Sequence, residues 1–245
     1  MQPHSATLSA RDIAERFSSG VHTILTRVID TQMDALQAAA RLMAQTVERD
    51  RIVYAFGSGH SQSVAIEFYD RAGGFACCDV IHEKTFGRAE RLPGYAAVLL
   101  DAYPVSSGDL MIVISNSGRN PLSVEMARES RKRGMEVIGI TSLEHSRSVS
   151  PRDPGGRRLC EVCDIVIDTC SPVGDTLVEL EEGLRVGSPS TLSGVFIAQT
   201  LVCLASEQLL CRGVRPPVLV SMNLDEGDRR NRVLLESFRA RVRGL

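Results

Sequence analysis

The chain has 245 residues, of which 43% are hydrophobic and 24% charged, and its formal net charge is −2. This balance argues against nucleic acid or an anionic membrane as the main partner, and the length is enough for one substantial hydrophobic core. Because no uninterrupted apolar run is long enough to cross a bilayer and the first residues lack the apolar core of a secretory signal, we expect a cytoplasmic protein with reduced cysteines.

The first predicted element is a long amphipathic helix over residues 21–49, where apolar side chains recur at helical spacing without an internal glycine or proline. Its apolar positions are Ile24, Leu25, Val28, Ile29, Met33, Leu36, Ala40, Met43 and Val47. We expect residues 1–50 to form a helical extension that packs on its own domain, residues 51–245, or on a partner subunit.

The rest of the chain alternates between short apolar runs and helical patterns, which predicts a five-stranded parallel sheet in a three-layer α/β/α sandwich. The predicted strands are Ile52–Phe56, Phe75–Ile81, Leu110–Ile114, Glu136–Ile140 and Asp164–Ile167. Helices are predicted at Gln62–Arg71, Pro121–Arg133 and Val195–Leu210, and residues 144–158 are expected to form a mobile loop. Near the C-terminus a docked amphipathic helix is indicated by Val233, Leu234, Phe238 and Val242.

Two hydroxyl-rich loops follow two of these strands, at "GSGHS" (57–61) and "SNSGRN" (115–120). Ligands of an open parallel sheet bind beyond the carboxyl ends of the strands, where glycine lets the backbone approach an anion and hydroxyls donate hydrogen bonds. The first loop is neither a Walker loop nor a dinucleotide fingerprint, and alone it is equally compatible with a simple capped turn. Together the two loops predict a site for a phosphate or a polar sugar.

A third polar segment, "RVGSPSTLSG" (185–194), leads into the predicted apolar helix. Its hydroxyl residues Ser188, Ser190 and Thr191 either cap that helix or help to close a sugar pocket, and the sequence leaves both alternatives open. The CxxC formed by Cys160 and Cys163 is interpreted as two buried thiols, because a zinc site would need a second pair of ligands.

The motifs "FGSGHS", "ISNSGRNP" and "VGSPSTLSG" resemble those of the sugar isomerase (SIS) domain family, and the wider run from Gly57 to Asp228 resembles single-domain bacterial phosphosugar isomerases of that family. The resemblance implies a SIS-type, flavodoxin-like fold, a sugar-phosphate ligand, and a homodimer or homotetramer with the site near a subunit interface. It implies a pocket built from three loop segments, of which the one after the middle strand holds the phosphate at Ser115, Ser117 and Asn120 and at backbone N–H groups near Gly118. The residues of the three segments are Ser58, Gly59 and Ser61; Ser115, Asn116, Ser117, Gly118, Arg119 and Asn120; and Ser190 or Thr191.

Aldose–ketose isomerisation moves a proton between adjacent carbons, so the chemistry needs a carboxylate or a histidine near the sugar. Glu83, at the end of a predicted strand, is the preferred base, although a surface carboxylate is the alternative. His60 and Glu67 are further catalytic candidates, and His82 is a candidate for binding substrate. Where several SIS enzymes have their carboxylate this chain has Arg71, so their mechanism does not transfer directly.

Two functions of different class stay open. One is a sugar-phosphate isomerase or a related lyase, and the other is a non-catalytic sugar-phosphate sensor that regulates a partner protein. No metal or other cofactor is required by either. Arg88 and Arg91 either supply positive charge to an anionic substrate or are solvated loop residues, and the sequence favours the solvated alternative.

Overall fold

The computed structural model describes residues 8–243, in which strands and helices alternate along most of the chain. The strands are β1 (Val53–Gly57), β2 (Cys78–Ile81), β3 (Leu110–Ile114), β4 (Glu136–Thr141), β5 (Ile165–Asp168), β6 (Val178–Glu181) and β7 (Leu184–Val186). The α-helices are α1 (Ala10–Glu48), α2 (Ser61–Ile66), α3 (Tyr95–Asp101), α4 (Pro121–Lys132), α5 (Leu143–Ser148), α6 (Ser190–Cys211) and α7 (Gly227–Phe238). A short 3-10 helix covers Leu159–Glu161.

Strands β1 to β5 form one parallel sheet in the order β2-β1-β3-β4-β5. Every residue of β1 and β3 is buried, because continuous apolar runs such as "LMIVI" suit central strands that are covered on both faces. The predicted five-stranded parallel sheet with helices on its faces is confirmed. Its strand order is that of flavodoxin-like folds.

Helix α1 begins at Ala10, well before the predicted start at residue 21. The reason is a capping box: the hydroxyl of Ser9 accepts a hydrogen bond from the backbone N–H of Asp12, and the Asp12 carboxylate accepts one from the N–H of Ser9, both at 3.1 Å. The buried residues of α1 begin only at Ile24, so its first turns extend beyond the core. The division of the chain near residue 50 stays a prediction.

Helix α6 packs along α1 and also contacts α2. Among the helices of residues 8–243, α6 alone is long and apolar enough to cross a membrane by length and composition. A helix in the core of a globular domain has the same composition, and Ile197, Ala198 and Leu201 of α6 are fully buried in the hydrophobic core.

Two predicted elements are shorter than the sequence pattern indicated. The strand predicted at Phe75–Ile81 contains only Cys78–Ile81, because Phe75 instead forms an isolated antiparallel bridge with Val218. Helix α2 ends at Ile66 rather than at Arg71, and Asp70 has a positive φ of 39°, a backbone conformation that a helix does not allow.

The predicted mobile loop at 144–158 is partly ordered structure. Its first residues form α5, whose start is capped by a hydrogen bond from the N–H of His145 to the hydroxyl of Ser142 at 3.1 Å. Further on, the buried side chain of Asp153 pairs with Arg128 of α4. The hairpin of β6 and β7 was not predicted.

The predicted C-terminal helix is present as α7. Phe238 is buried at the end of α7, as the amphipathic pattern predicts, whereas Val242 is buried but lies beyond the helix, which ends at Phe238. Val233 is 72% exposed, so its assignment to the apolar face was wrong.

Candidate functional site

The chain leaves the central strands β1 and β3 in loops that lie side by side at the carboxyl edge of the sheet. We call them the β1 loop (Gly57–Ser61) and the β3 loop (Ser115–Asn120). Between β1 and β3 the order of the strands reverses direction along the chain, which is the point where open α/β sheets bind ligands. The two hydroxyl-rich loops therefore lie together at the position that such a fold provides for a ligand.

A small cavity of about 110 Å³ lies between these loops and the start of α6. Five of the predicted site residues line it: His60, Ser61, Asn116, Ser190 and Thr191. Helix α6 reaches the cavity because Gly194 allows it to approach α2 closely; a Cβ atom at Gly194 would lie 2.8 Å from a methyl group of Val64. Three segments that are distant in the sequence thus contribute polar side chains to one cavity.

Two further residues that line this small cavity, Thr169 and Asp175, were missed by the sequence analysis. The hydroxyl of Thr169 donates a hydrogen bond to Oδ1 of Asn116 at 3.2 Å. Because Thr169 directly follows β5, a search for polar residues at the carboxyl ends of strands, which identified the β1 and β3 loops, would also have identified it. Asp175 accepts hydrogen bonds from the N–H and the hydroxyl of Ser190, at 3.0 and 2.6 Å, and from the hydroxyl of Ser188 at 2.6 Å. No spacing in the sequence indicated this contact.

The β3 loop is stabilised by bonds within itself. The N–H of Gly118 donates to the backbone oxygen and to the hydroxyl of Ser115, at 3.1 and 3.2 Å. This N–H is therefore already used within the loop, and the phosphate contact of the other N–H groups near Gly118 stays a prediction. Ser115 is buried, and Ser117, which is half-buried in the same loop, does not line the small cavity.

Gly118 is required by its surroundings. Its φ is +56°, and a Cβ atom there would lie 2.8 Å from the hydroxyl of Thr141. Only glycine satisfies both conditions, because other residues are strained at positive φ and would contact β4.

Glu83 is fully buried, so the alternative of a surface carboxylate was wrong. Its Oε2 accepts hydrogen bonds from the hydroxyl of Ser58 at 3.3 Å and from the N–H of Gly87 at 2.6 Å, and its Oε1 accepts one from the N–H of Thr85 at 2.6 Å. Burial raises the pKa of this carboxyl, but the hydrogen bonds from Thr85, Gly87 and Ser58 lower it more, so the pKa lies below its ordinary value of 4.5. A carboxylate held ionised by several donors is a weak base, and it joins the β1 loop to the loop after β2.

His82 and Glu83 line a second and larger cavity, of about 590 Å³, at the β2 edge of the sheet. His82 is exposed there, and its Nδ1 lies 3.2 Å from Nε2 of Gln62. Neither residue lines the small cavity, so the structure does not bring them together with Ser61 as the sequence analysis expected. Gly59 is close to Gly87 of the loop after β2; a Cβ atom on Gly87 would lie 3.2 Å from the Gly59 α-carbon.

Glu67, the third catalytic candidate, follows α2 and forms an ion pair with Arg71. Its carboxylate also accepts a hydrogen bond from Nε2 of Gln199 at 3.2 Å. It does not line the small cavity. The carboxylate of Glu67, a predicted candidate base, is thus already paired with the guanidinium of Arg71.

Metal ligands are not gathered in one place: within residues 8–243, no group of three or more histidine, cysteine, aspartate or glutamate side chains is close enough to hold a metal ion. Cys160 and Cys163 are free thiols. Burial raises the pKa of Cys163, which makes it a poor nucleophile and a poor metal ligand without a compensating charge.

A five-stranded parallel sheet with a polar crevice at its switch point defines a class of open α/β proteins that bind small polar ligands at the strand ends. Within this class, the chain belongs to the SIS-domain family, whose model matches residues 16–142. Its alignment with a UPF0309 protein of Shouchella clausii is 33% identical over 239 aligned positions and covers 93% of this chain and 97% of that protein. Its alignment with a UPF0309 protein of Streptomyces griseus is 35% identical over 247 aligned positions and covers 96% of this chain and 98% of that protein.

Solved structures share the fold at low sequence identity. A phosphoheptose isomerase from Francisella tularensis superposes with a TM-score of 0.58 at 15% identity, covering 82% of this chain and 100% of that one. The Vibrio vulnificus NanR protein complexed with ManNAc-6P superposes with a TM-score of 0.54 at 16% identity. The superposition covers 94% of this chain and 69% of that one. The sugar isomerase domain of an RpiR transcription factor from Sphaerobacter thermophilus superposes with a TM-score of 0.50 at 17% identity. The superposition covers 91% of this chain and 96% of that one.

Proposed function

We propose that the protein binds a sugar phosphate at the small cavity and converts it by aldose–ketose isomerisation. The observation that carries this proposal is the meeting of Ser61, Asn116 and Thr191, from three separate segments, at the switch point of a SIS-domain sheet. Among the proteins of the same fold, one is a phosphoheptose isomerase and another is complexed with the sugar phosphate ManNAc-6P.

The size and the polarity of the small cavity support binding of the phosphate there. Its volume of about 110 Å³ is well below the roughly 300–1,000 Å³ of pockets that enclose a whole drug-sized ligand. It suits an anionic head group, with the sugar extending outward past the β1 and β3 loops. The start of the 22-residue helix α6 lies at this cavity, where the helix dipole favours negative charge and the carboxylate of Asp175 already accepts a hydrogen bond from the N–H of Ser190.

His60 is the proton carrier in this proposal. Two ionisable side chains line the small cavity, those of Asp175 and His60. The carboxylate of Asp175 accepts hydrogen bonds from Ser188 and Ser190. The ring of His60 is exposed and makes no hydrogen bond to any residue of the described range 8–243. A histidine at the mouth of a sugar-phosphate site is suited to move a proton between adjacent carbons.

A non-catalytic sensor is the second candidate function. The observation that favours it is the state of the two carboxylates: Glu83 accepts hydrogen bonds from three residues, and Glu67 is paired with Arg71. An isomerase without a free carboxylate depends on His60 or on a group from a partner subunit. The sugar isomerase domain of an RpiR transcription factor shares the fold, which is in line with a sensing role.

Ligand screening followed by an exchange assay tests both candidates. Thermal shift measured with hexose, heptose, pentose and N-acetylamino-sugar phosphates identifies binders, because a ligand of the native state raises its apparent stability. Each binder is then incubated in heavy water and its carbon-bound deuterium is measured. Binding with deuterium incorporation supports the isomerase, binding without turnover of any binder supports the sensor, and no binding contradicts both.

The homodimer or homotetramer and the cytoplasmic location implied earlier stay predictions. Exposed apolar side chains on the hairpin of β6 and β7, Leu180, Leu184 and Val186, are a surface that a second copy of the chain would cover. Light scattering on the purified protein measures the number of subunits.

A further inference from the structure

Three arginines surround the first turn of helix α4, next to the β3 loop. Arg119 immediately precedes Asn120, the residue before the helix. Arg152 donates from its guanidinium to Oδ1 of Asn120 at 3.2 Å, and from its backbone N–H to the backbone oxygen of Arg119 at 2.8 Å. Arg91 follows Glu90, whose backbone oxygen accepts a hydrogen bond from the N–H of Leu122 at 3.1 Å. This bond holds the backbone beside Arg91 against the first turn of α4. We call Arg91, Arg119 and Arg152 the arginine cluster.

The arginine cluster lacks counter-charges. Within residues 8–243, none of its three guanidinium groups lies within 4.0 Å of a carboxylate. Nε of Arg119 is buried and has no hydrogen-bond partner in the described part of the chain. A buried donor without a partner destabilises the fold unless a ligand or water accepts its hydrogen bond.

The electrostatics of the cluster indicate an anion. Burial lowers the pKa of Arg119, and the positive charges of Arg152, Arg91 and Arg158 lower it further. Arg158 is occupied elsewhere, because it donates to the backbone oxygens of Ser146 and Val149. Arg91 and Arg152 are exposed to solvent, whereas Arg119 is half-buried, and a bound anion would stabilise the positive charge of Arg119.

None of the three arginines lines the small cavity, so a phosphate bound in that cavity leaves the cluster, beside the positive end of α4, without an anion. Asn116, which lines the small cavity, is three residues from Arg119, so their α-carbons are at most about 11 Å apart. The small cavity and the cluster are therefore close enough for one ligand to reach both.

We propose that the sugar phosphate bound by this protein carries a second acidic group, a carboxylate or a second phosphate, and that the arginine cluster binds one of its two acidic groups while the small cavity binds the other. This inference rests on the proposed function and names the class of its ligand. The guanidinium group suits both acids, because it donates two parallel hydrogen bonds to a carboxylate or to a phosphate.

Matched ligand pairs test the proposal by calorimetric titration of the full-length protein. Glucose 1,6-bisphosphate is compared with methyl glucoside 6-phosphate, and glucuronic acid 1-phosphate with glucose 1-phosphate, so that no ligand opens its ring and each pair differs in the second acidic group. We expect that group to tighten binding by about tenfold or more, the effect of one charged hydrogen-bonded contact. Arg91→Gln and Arg152→Gln should remove most of this gain, whereas Arg232→Gln, at an exposed position of α7, should keep it.

The outcomes separate this inference from the function on which it rests. A gain in the first pair only identifies the second acid as a phosphate, and a gain in the second pair only identifies it as a carboxylate; either supports the proposal. Equal affinities within both pairs overturn the inference and leave sugar-phosphate binding intact. A gain that survives in both the Arg91 and Arg152 variants also overturns it. If none of the four ligands binds, the inference is wrong, and the broader panel then decides whether the proposed function fails with it. The melting temperature of each variant, and the charge-conserving Arg152→Lys, show whether an effect is due to misfolding.

Discussion

The hydroxyl of Ser58 donates a hydrogen bond to Oε2 of Glu83 at 3.3 Å and thereby joins the β1 loop to the loop that follows β2. Both side chains are buried. The same carboxylate accepts the backbone N–H groups of Thr85 and Gly87, so one side chain determines the positions of two neighbouring loops. We therefore expect Glu83 to position the site rather than to act as the base.

Glu83→Gln should lower the free energy of unfolding by about 1–3 kcal/mol at pH 7, because an amide nitrogen replaces one acceptor oxygen and leaves a buried donor unpaired. The pKa of Glu83 is below its ordinary value of 4.5, so its contribution to stability is fully present above pH 4.5 and is lost as the pH falls through the lower, folded-state pKa. Denaturant unfolding measured from pH 7 to pH 3 should therefore show the difference between wild type and variant shrinking in acid.

Glu136→Gln is the matched control for this experiment, since Glu136 is exposed at the start of β4. It should change stability by no more than a few tenths of a kcal/mol. A Glu83→Gln protein that keeps its stability but loses all turnover would contradict the positioning role and favour Glu83 as the base.

Gly118→Ala should destabilise the protein by about 2–5 kcal/mol, the sum of the strain of a positive φ and of overpacking against β4. The added methyl group would lie 2.8 Å from the hydroxyl of Thr141 and 3.1 Å from that of Ser146, and both neighbours are fully buried. Gly156→Ala separates the two costs, because Gly156 also has a positive φ but has no atom within 4 Å of the added group. Equal losses of stability in the two variants, measured by denaturant unfolding, would show that the contact with β4 is unimportant.

The sheet was predictable from the sequence because each of its strands is specified by a short run of consecutive residues. A continuous apolar run such as Leu110–Ile114 specifies a buried parallel strand on its own, and the helix between two such runs makes the connection parallel. Errors lie where a contact distant in the chain decides the outcome. Phe75 left the predicted strand to pair with Val218, and the predicted mobile loop is held by the pairing of Asp153 with Arg128.

The candidate site was predictable to the extent that it follows from strand ends. Asn116 lies two residues after β3 and Ser61 four residues after β1, where α2 begins, and the structure brings both to the small cavity. The hydrogen-bond partners of a side chain could not be predicted in this way. The sequence put Glu83 at the end of a strand, but only the fold of the next four residues turns the N–H groups of Thr85 and Gly87 onto its carboxylate.

His60→Gln should lower turnover by at least about a hundredfold in the exchange assay, which is the usual contribution of a general acid or base. Affinity for the sugar phosphate should change less than threefold, because the proposed role of His60 is proton transfer rather than phosphate binding. His22→Gln, at an exposed position of α1, is the control and should leave both quantities unchanged. Unchanged turnover in the His60 variant would place the proton carrier elsewhere.

Ser61→Ala should weaken binding of any sugar phosphate about tenfold, because a hydrogen bond from a hydroxyl to a charged phosphate oxygen contributes roughly 1.5–3 kcal/mol. Ser63 provides a matched control on the same helix: it is exposed and does not line the small cavity, so Ser63→Ala should leave the dissociation constant unchanged.

Thr191→Val extends the comparison to the third segment, since valine keeps the shape of threonine and removes only its hydroxyl. Calorimetric titration of the three variants with one ligand from the screen gives the dissociation constants. If Ser61→Ala and Thr191→Val bind as tightly as Ser63→Ala, the small cavity does not hold the phosphate. A loss of affinity in both variants is the result that a shared phosphate site requires.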